Sequence, residues 1–92
     1  MATLHFDTDA GRNASTTIQT GCDSLNDQLN ALNSRVNSLV GSEWMGNSAN
    51  QFKGEFDSWA TQLRACTDNL ATLKTRLDTE IAEWEAAAQG LA

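Results

Sequence analysis

The residues best suited to nucleophilic, proton-transfer or redox chemistry are one histidine, His5, and two cysteines, Cys22 and Cys66. Catalysis by a Ser–His or Cys–His pair needs the histidine beside the nucleophile, and His5 lies in a segment that we predict to be a short N-terminal tail. The sequence has neither the Glu-x-x-His motif of metal sites in helical bundles nor a glycine-rich phosphate loop. We therefore expect no catalytic residue, no metal site and no cofactor, and a protein that is not an enzyme.

The two cysteines have two possible roles. Both recur in regular apolar patterns, so they are either small buried apolar side chains or the two halves of a disulfide that joins Cys22 to Cys66. On the chain-entropy model, closing a loop of this length stabilises a fold by roughly 4 kcal/mol. The bridge requires a close approach of the two segments that carry the cysteines.

A heptad pattern of apolar residues lies on each side of the chain's midpoint. The steps of three and four residues place each set on one side of a helix, and the chain has no proline to interrupt it. The sequence therefore predicts one domain of residues 1–92, with helices over about 8–40 and 48–89 and a turn over about 41–47. The first set is Ile18, Cys22, Leu25, Leu29, Leu32, Val36 and Leu39, and the second is Ala49, Phe52, Phe56, Trp59, Leu63, Cys66, Leu70, Leu73, Leu77, Ile81, Trp84, Ala88 and Leu91.

The two patterns match each other when the chain is folded at its midpoint. Each residue of the first set then meets one of the second in a single register, from Leu39 with Ala49 to Ile18 with Leu70. This predicts an all-α fold, an antiparallel helix-turn-helix hairpin. The register also predicts that the N-terminal segment, with Leu4 and Phe6, lies over Ile81 and Trp84.

Local signals mark the ends of the predicted helices. Asp7 or Thr8 suits the N-cap of the first helix. Gly41 suits its C-terminal end, where a left-handed backbone is common.

A single hairpin of this kind leaves part of its apolar stripe in water. Small chains with little core are usually stabilised by a staple or by association, and so many large apolar side chains are unusual on a monomer's surface. We expect two hairpins to form a four-helix bundle; the alternative is a hairpin that docks on a different protein. The predicted core of the hairpin and dimer is Ile18, Leu25, Leu29, Leu32, Val36, Phe52, Phe56, Trp59, Leu63 and Leu70.

Charge and hydropathy narrow the range of partners. The net charge of −6 argues against nucleic acid and anionic membrane surfaces, which attract basic proteins. No apolar run approaches the roughly 20 residues that a membrane span needs, and we expect no cleaved signal peptide. The end of the second helix is acidic, which is typical of a solvated face and less often marks a partner-binding patch; its acids are Asp78, Glu80, Glu83 and Glu85.

With Trp44 and Gly46 in the turn of a matched hairpin, the whole chain resembles the WXG family of type VII secretion proteins, the ESAT-like (early secretory antigenic target) group. The residues that carry the resemblance are Trp44, Gly46, Ser48, Ala49, Phe52, Phe56 and Trp59. It implies a four-helix dimer, formed by two copies or with a related Trp-x-Gly chain. It also implies export from the bacterial cytoplasm, without a cleaved signal peptide, by a system driven by a secretion ATPase.

The resemblance leaves the exact role open. Exported relatives commonly carry Tyr-x-x-x-Asp/Glu after the second helix, whereas this chain has no tyrosine; its nearest aromatic residue is Trp84, followed four residues later by Ala88. We expect a secretion substrate or an export partner, with Trp44 and Gly46 as a recognition turn or as a purely structural one. The alternative function is a structural or adaptor bundle without an export role.

Overall fold

The computed structural model describes residues 5–90, and all regular secondary structure in that range is helical. Helix α1 spans Thr8–Ser38, a π-helical turn spans Leu39–Glu43, and helix α2 spans Asn47–Gly90. The two long helices form an antiparallel hairpin, a rod of 69 × 22 × 19 Å. This confirms the predicted all-α hairpin, and the observed helix ends lie within a few residues of the predicted ones. Leu4 and Leu91 lie outside the described residues.

The start of α1 is fixed by Asp7. Its Oδ1 accepts hydrogen bonds from the backbone N–H groups of Asp9 and Ala10, both at 3.1 Å. These amides belong to the first turn of the helix, where backbone donors have no partner within the helix. Of the two predicted caps, the structure therefore selects Asp7.

The connection between the helices is short and hydrogen-bonded. The Trp44 N–H donates to the Leu39 carbonyl oxygen at 2.7 Å, which closes the π-helical turn. Gly46 then adopts a φ of +116°, and its carbonyl oxygen accepts from the Asn50 N–H at 3.1 Å in the first turn of α2. The left-handed backbone expected at Gly41 is found at Gly46 instead, because helical structure continues through Gly41 to Glu43.

The contact between the two helices is a seam of mostly small side chains. Residues with little bulk at a contact allow two helix backbones to approach closely, which explains why bulkier neighbours lie beside this line rather than on it. The buried residues are Gly11, Ser15, Cys22 and Leu29 on α1 and Ala49, Ala60, Thr67 and Ile81 on α2.

The seam corrects the predicted pairing of the helices. Cys22 Sγ lies 3.8 Å from the Thr67 carbonyl oxygen and not opposite Cys66, and Ala60 is buried while Trp59 is 46% exposed. Successive residues of a helix point about 100° apart. Helix α2 thus presents Ala60 and Thr67 to α1, the residues that directly follow the predicted Trp59 and Cys66.

Polar and aromatic contacts join the helices at the open end of the hairpin, away from the turn. Ser15 Oγ donates to Asp78 Oδ1 at 2.5 Å, and the Arg12 guanidinium forms an ion pair with Glu85 that raises the pKa of Arg12 above its ordinary value. Phe6 packs on Trp84, and Ile81 is buried. The prediction that Phe6 lies over this end of α2 is confirmed.

Candidate functional site: the Trp-x-Gly turn and the adjoining apolar face

In the turn, the Trp44 side chain packs against α2 and the Met45 side chain faces solvent. Trp44 is half-buried, and its ring packs on Phe52 with centroids 5.5 Å apart and an interplanar angle of 43°. Met45, at the tip, is 78% exposed. Met45 is the central residue of the Trp-x-Gly motif, in which the sequence assigns a role only to Trp44 and Gly46. The signal for its exposure is a large apolar residue in a segment too short to bury it.

A row of apolar side chains on α2 starts beside this turn and faces solvent. Its members are spaced by seven residues, so they lie on one side of the helix. Phe52 is 37%, Trp59 46% and Leu73 56% exposed, and Cys66 between them is exposed as well. Trp59 also packs on Phe56, with ring centroids 5.7 Å apart.

A second row, on α1, adjoins the first. Ile18 and Leu25 are half-buried, while Leu32 and Leu39 are 45% and 37% exposed. Each row is displaced from the seam in the same sense about the axis of its own helix. Because the two helices run in opposite directions, this places both rows on the same side of the hairpin. We call this surface the apolar face; its residues are Ile18, Leu25, Leu32 and Leu39 on α1 and Phe52, Trp59, Cys66 and Leu73 on α2.

The predicted core residues divide between the seam and the apolar face. Only Leu29 among them is buried within the hairpin, at 2% exposure. Leu32, Phe52, Trp59 and Leu70 are each at least 36% exposed. The other predicted core residues are half-buried: Ile18, Leu25, Val36, Phe56 and Leu63. The single chain therefore buries one edge of the predicted apolar stripe and leaves the other edge in contact with solvent.

The structure does not contain the Cys22–Cys66 disulfide, which was one of two possibilities for these cysteines. Both cysteines are free thiols, with Cys22 buried and Cys66 exposed. The rotation of α2 explains this: Thr67 occupies the place opposite Cys22, while Cys66 points to the apolar face. In the hairpin, Cys22 is the small apolar side chain that was the alternative interpretation.

The described residues 5–90 contain no group of three or more His, Cys, Asp or Glu side chains that could hold a metal ion. None of the helices in this range combines the length and hydropathy that crossing a membrane requires. Two surfaces stand out in the described residues: the turn with Trp44 and Met45, and the apolar face that continues from it through Phe52.

A helical hairpin with Trp-x-Gly in its turn defines a class of small, all-helical proteins. This chain belongs to that class through a specific match: the family model WXG100, described as proteins of 100 residues with WXG, matches residues 5–87, so the chain is a member of the WXG100 family. The family comprises small helical proteins associated with type VII secretion that are in general not enzymes. Comparisons with curated proteins and with solved structures gave no match.

Proposed function

We propose that this protein is a type VII secretion substrate or export partner that acts as a dimer of helical hairpins. The dimer forms with a second copy or with a related Trp-x-Gly chain. The observation that carries the proposal is the continuity of the turn with the apolar face: Trp44 packs on Phe52, the first residue of the exposed row on α2. Assembly and recognition thus use adjoining surfaces.

The apolar face supports the dimer. Large contiguous apolar surfaces on small proteins mark interaction sites, and side chains spaced by seven suit the packing of one helix pair against another. A second hairpin placed on this face would cover Leu32, Trp59 and Leu73, which the single chain leaves exposed. The resulting four-helix bundle gives both hairpins the core that each lacks alone.

The turn supports the export role. Trp44 and Gly46 set the shape of the turn, and Met45 projects from it. We propose that this turn is recognised by the secretion ATPase, and that the protein leaves the bacterial cytoplasm without a cleaved signal peptide. Because the sequence lacks the Tyr-x-x-x-Asp/Glu element, a partner chain would supply that part of the signal.

The test of this function is secretion of the Trp44→Ala protein from a strain with an active type VII system. Trp44 packs at the periphery, on the exposed side of α2, so we expect Trp44→Ala to retain helicity and dimer mass while its secretion and its binding to the ATPase fall. Gln62→Ala, a change on the outer surface of α2, is the control and should be exported like the parent protein. Undiminished export of a folded Trp44→Ala protein would contradict recognition at the turn and favour a structural or adaptor bundle.

A further inference from the structure

Phe6 links the N-terminal segment to the far end of α2. Its ring is half-buried and meets Trp84 edge-on, with ring centroids 5.8 Å apart and an interplanar angle of 88°. On its other side the ring lies over Gly11. A Cβ atom at Gly11 would come within 2.8 Å of Phe6 Cζ and 3.2 Å of Ile81 Cδ1. Any side chain at position 11 would therefore force the Phe6 ring to shift.

The position of Phe6 is set by the residue that follows it. Asp7 caps α1 with its side chain, so the chain enters the helix in a fixed direction. A hydrophobic residue before an N-cap usually packs within its own helix, on the fourth residue. Here the fourth helical residue is Gly11, which offers no side chain, and the ring extends across it to Ile81 and Trp84 on α2.

The charges at the C-terminal end of α2 destabilise that part of the helix, so contacts with other parts of the chain are needed to stabilise it. This stretch carries Glu80, Glu83 and Glu85, and the last turn of the helix has no basic residue. Negative charges near a helix C-terminus oppose the helix dipole. Asp78 accepts a hydrogen bond from Ser15, and beyond it the Glu85 ion pair with Arg12 and the packing of Phe6 on Trp84 join this stretch to the rest of the hairpin.

We propose that residues 5–7 act as a clasp: Phe6, seated over Gly11, holds the last turns of α2 in helical order and covers Ile81 and part of Trp84. In the closed state α2 continues to Gly90. When the clasp is released, the turns after about residue 81 fray and the two apolar side chains are exposed. The seam between Cys22 and the Trp-x-Gly turn is unaffected, because Phe6 makes no contact there.

Amide hydrogen exchange of the intact chain, measured residue by residue by NMR, tests the clasp directly. In Phe6→Ala, we expect the amides of residues 82–89 to exchange about tenfold faster or more, which corresponds to about 1.4 kcal/mol of lost local stability. The amides around Leu29 and Ala60 should keep the protection of the parent. Phe6→Leu keeps a large apolar side chain at this position without adding an atom at the Cζ contact, and its exchange at residues 82–89 should lie between that of Phe6→Ala and that of the parent.

Gly11→Ala separates the clasp from simple helix propensity. Alanine is the better helix former, so if helix propensity alone mattered, this change should slow amide exchange in α1 and leave amide exchange in α2 unchanged. The added methyl group displaces Phe6, so the clasp requires faster exchange at residues 82–89 in spite of the stronger α1.

Unchanged exchange at residues 82–89 in Gly11→Ala would overturn the proposal, and so would either of two results in Phe6→Ala. One is unchanged exchange at residues 82–89 in Phe6→Ala. The other is an equal loss of protection along both helices, which would mean that Phe6 stabilises the hairpin as a whole and controls no separate segment. The proposal does not depend on export or on dimerisation, and its failure would leave both untouched.

Discussion

Replacing Gly46 or Gly54 by alanine adds one methyl group, and we expect the two changes to have opposite effects on the free energy of unfolding. Apart from adjacent backbone, no atom of the described residues lies within 4 Å of the position that a Cβ would take at either glycine. Gly46 has a φ of +116°, whereas Gly54 lies in the regular backbone of α2. We expect Gly46→Ala to lower the free energy of unfolding by about 1–3 kcal/mol through backbone strain. Gly54→Ala should raise it by up to about 1 kcal/mol, because alanine favours the helix.

Urea unfolding of the two variants at equal protein concentration measures whether the free energy of unfolding falls in Gly46→Ala and rises in Gly54→Ala. A neutral Gly46→Ala would show that the turn relaxes to a negative φ. A destabilising Gly54→Ala would show that the outer surface of α2 is covered in the assembled protein.

At the residue scale, sequence analysis located the turn but not its details. The pairing of the heptads placed Trp44 and Gly46 correctly between the helices. It did not reveal that the positive φ belongs to Gly46 rather than Gly41, because either glycine could end a helix and the choice depends on how the π-helical turn closes. Nor did it reveal that in the single hairpin Trp44 is less exposed than Trp59.

At the scale of the helices, the hydrogen bonds that Asp78 accepts from Lys74 and Ser15 make the open end of the hairpin sensitive to acid. Hydrogen bonds from Lys74, at 2.8 Å, and from Ser15, at 2.5 Å, lower the pKa of Asp78 from its ordinary value of 3.8. A carboxylate with a lowered pKa in the folded state stabilises the fold at pH values above 3.8. This contribution is lost as the pH falls through the folded-state value. We expect Asp78→Asn to be less stable than the parent at neutral pH and to lose less stability on acidification.

Thermal unfolding of Asp78→Asn between neutral pH and pH values below 3.8 measures this dependence. Glu80→Gln, a change on the same stretch of α2, is the control and should follow the parent curve more closely. If both variants shift the curve equally, the acid sensitivity reflects the overall charge of this end and not the contacts of Asp78.

The same scale shows why the existence of the helices could be predicted but their rotation could not. Steps of three and four residues define a stripe wide enough to include both Trp59 and the edge beside Ala60. Which edge packs within the hairpin depends on how closely the backbones approach, and small residues decide that. Ala60 and Thr67, which are spaced by seven residues and buried, were the available signal, but they are small or polar and do not belong to a pattern of large apolar residues.

At the scale of the whole molecule, substitutions of Leu29 and Leu73 distinguish the folding of the hairpin from its dimerisation. Leu29 is 2% exposed in the seam, and Leu73 is 56% exposed on the apolar face. We expect Leu29→Asp to unfold the hairpin, at a cost of more than about 3 kcal/mol, because it buries an unpaired charge. Leu73→Asp should keep its helicity but form a monomer.

Circular dichroism and the reactivity of Cys66 give the two readouts. Cys66 lies in the same row as Leu73, so its thiol should react slowly in the dimer and rapidly in Leu73→Asp, while Cys22 stays protected as long as the hairpin is folded. A dimer in which Cys66 reacts as fast as in the monomer would place the interface on another surface.

The sequence predicted the need for a partner because the apolar stripe is wider than one neighbouring helix can cover. It could not identify that partner. The apolar face has the same heptad spacing whether its complement is a second copy or a related chain, and the choice depends on side chains of the other molecule.

The elongated shape of the hairpin has a hydrodynamic consequence. Its radius of gyration is 20.6 Å, whereas a compact domain of this length would have about 12 Å. A value of 20.6 Å is what a compact chain of roughly 350 residues would show. The monomer should therefore elute from a gel-filtration column well ahead of spherical proteins of equal mass. A second hairpin laid along the apolar face thickens the particle more than it lengthens it, so the further shift on pairing is small. Sedimentation equilibrium or light scattering, which give mass independently of shape, are the measurements that distinguish one hairpin from two.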